Sequence, residues 1–358
     1  MHTENLAFER PEAPPLFDVL VIGAGQAGLA MGYYLHLQRK KFLLLEAASL
    51  LGHSWQNRYD SLRLFTPVPY CHLPGWPLLL PKNHYPTKED IARYLQAYAA
   101  QFQLPIALNQ QVLCLRKVQG IFEVMTATQT WRAAHVVVAT GPFQVPYIPA
   151  YPTGLSPQVV QLHSAQYKNP SQIPAGRVLV VGAGNSGAQI AAELAKTHEV
   201  HLSVKRKPRF SSLKMLGKSV FWWATKTGAI FASPSSRVGK KLLQKGDIIY
   251  GRELERLLKT KEVLLKPEIQ DPKQAEVLFK DGSQASYQAI VWATGFRPDY
   301  SWLQVAGALA PDGSALHKKG MSPVAGLYYV GLSWQRSRSS ALLLGAGRDA
   351  QFIARHLG

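Results

Sequence analysis

The stretch Phe17–Glu46 constrains this chain more than any other. An apolar run, Phe17 to Ile22, broken only by Asp18, leads into Gly23-Ala24-Gly25-Gln26-Ala27-Gly28. An amphipathic segment follows to about Gln38, and a second apolar run, Phe42 to Leu45, ends at Glu46. The order reads as strand, tight glycine turn, helix, strand, acid. Gly23 makes the turn, Gly25 lets the backbone approach a pyrophosphate, and Gly28 lets helix and strand pack closely. The helix N-terminus then offers free N–H groups and the positive end of its dipole to phosphates. Glu46 lies 21 residues past Gly25, which suits a carboxylate accepting hydrogen bonds from a ribose 2′-hydroxyl. A glycine triplet alone says little. Here strand, helix and acid accompany it, so a dinucleotide site over Gly23, Gly25, Gln26, Ala27, Gly28 and Glu46 is expected.

The pattern then returns. Val178–Val181 is apolar, Gly182-Ala183-Gly184-Asn185-Ser186-Gly187 follows, a helix is predicted to about Lys196, and a strand from Val200 to Val204. This copy begins 159 residues after the first. A later marker repeats too: the strand Val136–Ala139 ends in Ala139-Thr140-Gly141, echoed by Ala293-Thr294-Gly295. From central to marker glycine the spans are 116 and 111 residues. Two dinucleotide-binding units of similar length account for this. The predicted fold is α/β, with two Rossmann-like dinucleotide-binding domains. The copies differ where a ribose is read. The first ends in Glu46, the second in Lys205-Arg206-Lys207 with Arg209 beyond. A carboxylate repels a 2′-phosphate and a basic cluster pairs with it. NADPH is therefore preferred at the second site, with NADH also accepted.

The 358 residues suffice for two domains, and 47% are hydrophobic, enough for a sizeable core. Met1–Pro15 is polar and proline-rich, without the apolar stretch of a signal peptide. No run of 18 apolar residues occurs. Cys71 and Cys114 are the only cysteines and are not spaced for zinc or for a Cys-x-x-Cys pair, so a reduced, cytoplasmic protein is expected. His198 and His201 sit three apart, but no other ligand cluster accompanies them, and no metal site is expected. The net charge of +18 is uneven: Val200–Gly246 holds eleven Lys or Arg and no acid. Such a block suits an anionic partner, whether a phosphorylated cofactor or a membrane surface. No helix-turn-helix or aromatic-plus-basic repeat supports nucleic acid.

Between these landmarks, Gly52–Tyr59 and Leu62–Pro67 bring Trp55, Arg58 and Arg63 just past the first half-site, placed to wrap the middle of a long cofactor. Residues 67–86 carry six prolines and read as a rigid loop. Thr87 caps a helix with apolar residues at 91, 95, 98, 99 and 102. Short strands are predicted at Val112–Arg116, Phe122–Thr126 and Thr130–Ala133, and a proline-rich link spans Pro146–Pro174. Phe210–Pro234 is apolar and aromatic, and a buried helix is the plainest reading. Its Gly217-Lys218-Ser219 has Ser212 where a phosphate loop needs glycine. A helix follows at Arg252–Lys259, strands near Val263–Leu265, Glu276–Phe279, Ala289–Trp292 and Leu327–Gly331, and a last helix capped by Ser339 or Ser340.

Taken together, the two fingerprints, Gly52-x-x-Trp55-x-x-Arg58-Tyr59, Tyr85-Pro86-Thr87, His163-Ser164-x-x-Tyr167-Lys168 and Ala293-Thr294-Gly295-Phe296-Arg297-Pro298 resemble the class B flavoprotein monooxygenases. Among these the chain is most similar to flavin-containing monooxygenases of the bacterial arsenic-resistance and cation-efflux type and to the plant YUCCA enzymes. The resemblance covers nearly all of Phe17–Leu357. It implies FAD on the first unit (residues 1–155, completed by 291–358) and NAD(P)H on the second (156–290), inserted into the first. It also implies cofactor contacts at Trp55, Arg63, Val112, Gly141 and Gly295, beside Gly182, Gly184, Asn185, Ser186, Gly187, Lys205, Arg206 and Lys207. His163 and Lys168 are candidates for the cofactor interface. The implied activity is transfer of one oxygen atom from O₂ to a sulfide, an amine or a ketone by way of a C4a-(hydro)peroxyflavin. No acid–base residue is named, because that chemistry belongs to the flavin. A flavin reductase or oxidase fits the same layout. A homodimer is expected. The chain departs from the family at Pro157 and Val159, where its histidine motif has Phe and Gly. It departs again at Leu64-Phe65-Thr66, where animal-type members carry an Asn beside the flavin.

Overall fold

Four-residue apolar runs without alternation are what strands buried on both faces require, and in this chain they lie in the parallel parts of two sheets, the first mixed and the second all parallel. The computed structural model describes residues 15–151, 154–246, 248–273 and 276–357. The reading of Met1–Pro15 lies, but for Pro15, outside them. In the first sheet the order is Ile106–Ala107, Phe42–Leu45, Leu16–Ile22, Thr130–Val138, Ile121–Thr126, Val112–Val118. In the second it is Val263–Lys266, Glu199–Ser203, Arg177–Val181, Ala289–Trp292, Val160–His163, all parallel. Leu327–Tyr329, far along the chain, returns to the first sheet and pairs with Val136–Val138.

The sequence reading divides 130–139 into two strands at His135, but the structure has one, Thr130–Val138. One edge pairs with Leu16–Ile22 along its length. The other is shared, with Ile121–Thr126 against the first half and Leu327–Tyr329 against the second. The change of partner, not a break in the backbone, interrupts the apolar pattern. The helix capped by Thr87 runs Lys88–Gln101 and has a full capping box with Asp90.

Two other segments differ from expectation. Phe210–Pro234 is not one buried helix. It holds a hairpin (Lys214–Met215 with Lys218–Ser219), a helix Val220–Lys226 and a short 3₁₀ turn Ala229–Phe231. Phe221 and Ile230 are buried, while Met215 and Leu216 are exposed. The last helix, Leu343–Ala354, has Leu342 at its N-cap and no side-chain cap. Ser339 and Ser340 are buried in the preceding turn instead, where Ser340 Oγ accepts from the N–H groups of Arg336 and Ser337 at 3.1 and 3.0 Å.

Candidate active site

The two glycine turns are superimposable in their bonding. Gly23 N–H donates to Leu45 O at 2.7 Å and Gly182 N–H to Ser203 O at 2.9 Å. Ala139 N–H donates to Ile22 O, and Ala293 N–H to Val181 O, both at 2.8 Å. Gly23 and Gly182 both have φ +99°. A Cβ on either would lie 2.8 or 2.5 Å from the carbonyl oxygen of Ala139 or Ala293, so the Ala-Thr-Gly markers are the surfaces on which the turns rest. A Cβ on Gly28 or Gly187 would lie 1.9 or 2.0 Å from the first glycine's own carbonyl oxygen. The middle glycines are different. Gly25 (φ −71°, ψ −170°) and Gly184 (φ −73°, ψ −179°) have backbone angles open to any residue, and a Cβ on either meets nothing within 4 Å. Neither conformation nor internal packing calls for glycine there. Close approach of a ligand does. The helices that follow, Gln26–Leu37 and Asn185–Leu194, have no side-chain cap and no acid in the first turn, so their first N–H groups face outward to an anion. The residues fit two dinucleotides.

Around the first turn, Glu46 stands where expected. Its carboxylate accepts from Ala24 N–H (2.8 Å) and Ala48 N–H (3.0 Å), and it retains acceptor capacity for a hydroxyl. Val112 lies alongside, because Gln110 N–H donates to Glu46 O and Asn109 N–H to Ala48 O. Trp55 is half-buried against the first core. Gln26 Nε2 donates to Ala341 O at 3.1 Å, which holds the C-terminal segment over the helix start. Gly141 closes the marker at φ +72° with open space before it.

In the second turn, the position matching Glu46 is Val204, because Ser203 and Leu45 accept the same turn bond. The residue at the position of Glu46 is therefore apolar and not an acid. Arg206 and Lys207 are exposed, whereas Lys205 pairs with Glu268 at 3.1 Å, which leaves Arg206 and Lys207 as the two cations of the cluster open to solvent. Asn185 commits both ends of its amide to the neighbouring strand, donating to Ile248 O and accepting from Tyr250 N–H. Ser186 hydrogen-bonds Tyr59, whose phenol burial pushes up to about 12. Tyr59 also donates to Gln189, and Gln189 in turn to Arg63 O at 3.0 Å. Arg63 therefore meets the second fingerprint helix through its backbone, while its side chain is exposed.

The crossings between the units meet at Arg58 and His163. Arg58 lies 5.6 and 5.0 Å from the ring centroids of Phe143 and Phe296, just after the two markers, and burial lowers its pKa. His163 is buried; its Nδ1 accepts from Ala165 N–H at 3.1 Å, so Nε2 carries the proton and donates to Gly295 O at 2.9 Å. Both ring nitrogens serve the backbone, which makes His163 a positioning residue for the Gly295 marker. Lys168 donates to Asn57 O at 2.5 Å and Lys88 to Asp60 at 2.8 Å, tying loop 57–60 in place. Burial, the first cause, also lowers the pKa values of His163 and His201. The unfolded chain then takes up protons that the fold refuses, and stability falls as pH drops below about 6.5. The expected slope is roughly 1.4 kcal/mol per pH unit for each such histidine. Tm measured against pH is expected to be flat near neutrality and to fall on the acid side.

A cavity of about 250 Å³ opens between the second turn and the C-terminal segment. Asn185 of the second turn lines one side, and Ala341 and Leu342, held to Gln26, line the other. Phe65, Phe221, Tyr250 and Trp334 form apolar walls. Among the described residues Arg338 is the one lining residue with a charge, and it donates to Tyr250 OH at 2.9 Å. The sequence reading missed Arg338 and Trp334, which lie 150 residues from the second turn, and only the C-terminal return brings them there. Thr66, in the Leu64-Phe65-Thr66 departure, is buried and bonded to Cys71.

Residues 20–226 match the family model of the pyridine nucleotide-disulphide oxidoreductases. The chain belongs to this family. Within it the chain is a class B flavin monooxygenase. A flavin-containing monooxygenase from Stenotrophomonas maltophilia superposes with a TM-score of 0.80 at 28% identity, over 96% of this chain and 98% of that one. An uncharacterized CzcO-like oxidoreductase of Geobacillus kaustophilus is 47% identical over 338 residues, 94% of this chain and 97% of its own. The indole-3-pyruvate monooxygenase YUCCA8 of Oryza sativa subsp. japonica is 29% identical, over 92% of this chain and 88% of its own. The flavin monooxygenase described here is an oxidoreductase.

Proposed function

We propose that FAD occupies the first turn, in a domain of residues 1–155 completed by 291–358, and NADPH the second, within 156–290. We propose further that the pair serves to insert one oxygen atom of O₂ into a sulfide or amine, or into a ketone. The observation that carries the assignment is the pair of middle glycines, free by angle and by packing, with an acid beside the first and the exposed cations Arg206 and Lys207 beyond the second. Glu46 would take the ribose of FAD, and Arg206 with Lys207 the 2′-phosphate of NADPH. When bound, FAD would supply the activation of O₂, with NADPH as the two-electron reductant, one oxygen atom passing to the substrate and the other leaving as water. The chain's own part is placement and shelter. His163 and Arg58 hold the two crossings, Gln26 holds the C-terminal segment, and the aromatic walls exclude water from the cavity. Those walls suit a small, largely apolar substrate.

Electron transfer through a cysteine pair finds no support. The Cys71 thiol is buried and is pushed up to about 12 by that burial, so its thiolate is negligible at neutral pH. The test is to supply NADPH, isotopically heavy O₂ and a panel of thioether, tertiary amine and cyclic ketone. One heavy oxygen atom in a product is expected. NADPH consumption that yields only hydrogen peroxide with every compound would contradict the oxygen-insertion reading and favour an oxidase.

A further inference from the structure

The basic block does more than face a nucleotide. Beyond Lys207 it folds into a cap whose inner residues Phe221, Ile230 and Tyr250 line the 250 Å³ cavity. Its outer face carries seven exposed Lys or Arg between 214 and 245, and no ion pair joins any of them to a carboxylate among the described residues. Helix Arg237–Lys245 turns Leu242 onto the cavity and presents Arg237, Lys240, Lys241 and Lys245 to solvent.

The hairpin at 214–219 adds an independent feature. Its two-residue loop, Leu216-Gly217, has φ of +49° and +72°. That turn type asks for Asn, Asp or Gly at both positions. Leu216 sits at a left-handed angle that its side chain disfavours, and it is 82% exposed. Met215 beside it is 50% exposed, and Lys214 and Lys218 flank the pair. Asn at 216 would suit both the turn and water better. An apolar tip between lysines on a cap without acids has the chemistry of a surface that meets anionic headgroups with its charges and acyl chains with its tip.

We infer that residues 214–245 form a peripheral docking surface for an anionic lipid bilayer. Nucleic acid would engage the lysines equally but gains nothing from an exposed leucine. The test is co-sedimentation of the full chain with vesicles of phosphatidylcholine alone or mixed with phosphatidylglycerol. Binding is expected only with phosphatidylglycerol, weakening as salt rises. Leu216→Asn, which suits the turn and keeps the fold, is expected to lower partition about tenfold. A Lys240→Gln, Lys241→Gln, Lys245→Gln triple variant is expected to lower it further. No binding to phosphatidylglycerol vesicles at low salt would overturn the inference. So would wild-type binding by Leu216→Asn, which would leave a surface that reads phosphate alone.

Discussion

Replacing Gly25 by alanine is expected to yield a folded protein that has lost its FAD. The backbone angles at Gly25 are ordinary and a methyl group there meets no protein atom within 4 Å, so the apoprotein's Tm should be unchanged. The methyl group would instead occupy the space through which a pyrophosphate reaches the helix N–H groups. Each charge-assisted bond to those groups is worth about 1.5–3 kcal/mol, and losing one or two would lower FAD affinity on the order of a hundredfold. Gly28→Ala is the informative contrast. Its Cβ would lie 1.9 Å from Gly23 O, a backbone clash with no rotamer to relieve it. Overpacking alone costs about 1–3 kcal/mol, and a backbone clash exceeds that, so Gly28→Ala is expected to unfold or fail to express. Differential scanning fluorimetry with flavin absorbance separates the two outcomes. Equal thermal loss in both variants would show that Gly25 is a folding requirement and not a place kept open for a ligand.

The second large effect concerns the choice of nicotinamide cofactor. Arg206→Gln with Lys207→Gln is expected to raise KM for NADPH roughly twentyfold while moving KM for NADH less than about twofold, at roughly 1 kcal/mol for each exposed charge lost. Lys205, already paired with Glu268 at 3.1 Å, should contribute less when replaced alone. Steady-state kinetics with both nucleotides measures the ratio. Equal increases for the two would identify Arg206 and Lys207 as a solvated face only.

What was legible in the sequence follows from how local each requirement is. The glycine turns stand out because steric demands fall on residues two and three apart: Gly23 and Gly182 turn at φ +99°, and Gly28 and Gly187 each meet the carbonyl of the first glycine of their own turn. The acid at Glu46 and its absence at Val204 are also visible, because strand and helix lengths set their distance from the turn. His163 is legible as a residue but not as a role: its bond to Gly295 O spans 132 positions, and nothing nearby distinguishes a positioning histidine from a cofactor ligand. Arg338 and Tyr250 meet across 88 positions and leave no periodic trace. The strand Thr130–Val138 looked broken because its two halves face different partners. The serines at 339 and 340 looked like a helix cap because Ser is a good cap anywhere, but their hydroxyls are taken up by the preceding turn.

The most direct measurement is anaerobic reduction of the bound flavin by NADPH in Gly184→Ala. If the second turn holds NADPH and the first FAD, this variant should carry FAD at the wild-type ratio. It should also need on the order of a hundredfold more NADPH to reach half the wild-type reduction rate. Wild-type reduction, or loss of FAD with Gly184 replaced, would contradict the assignment of the two turns.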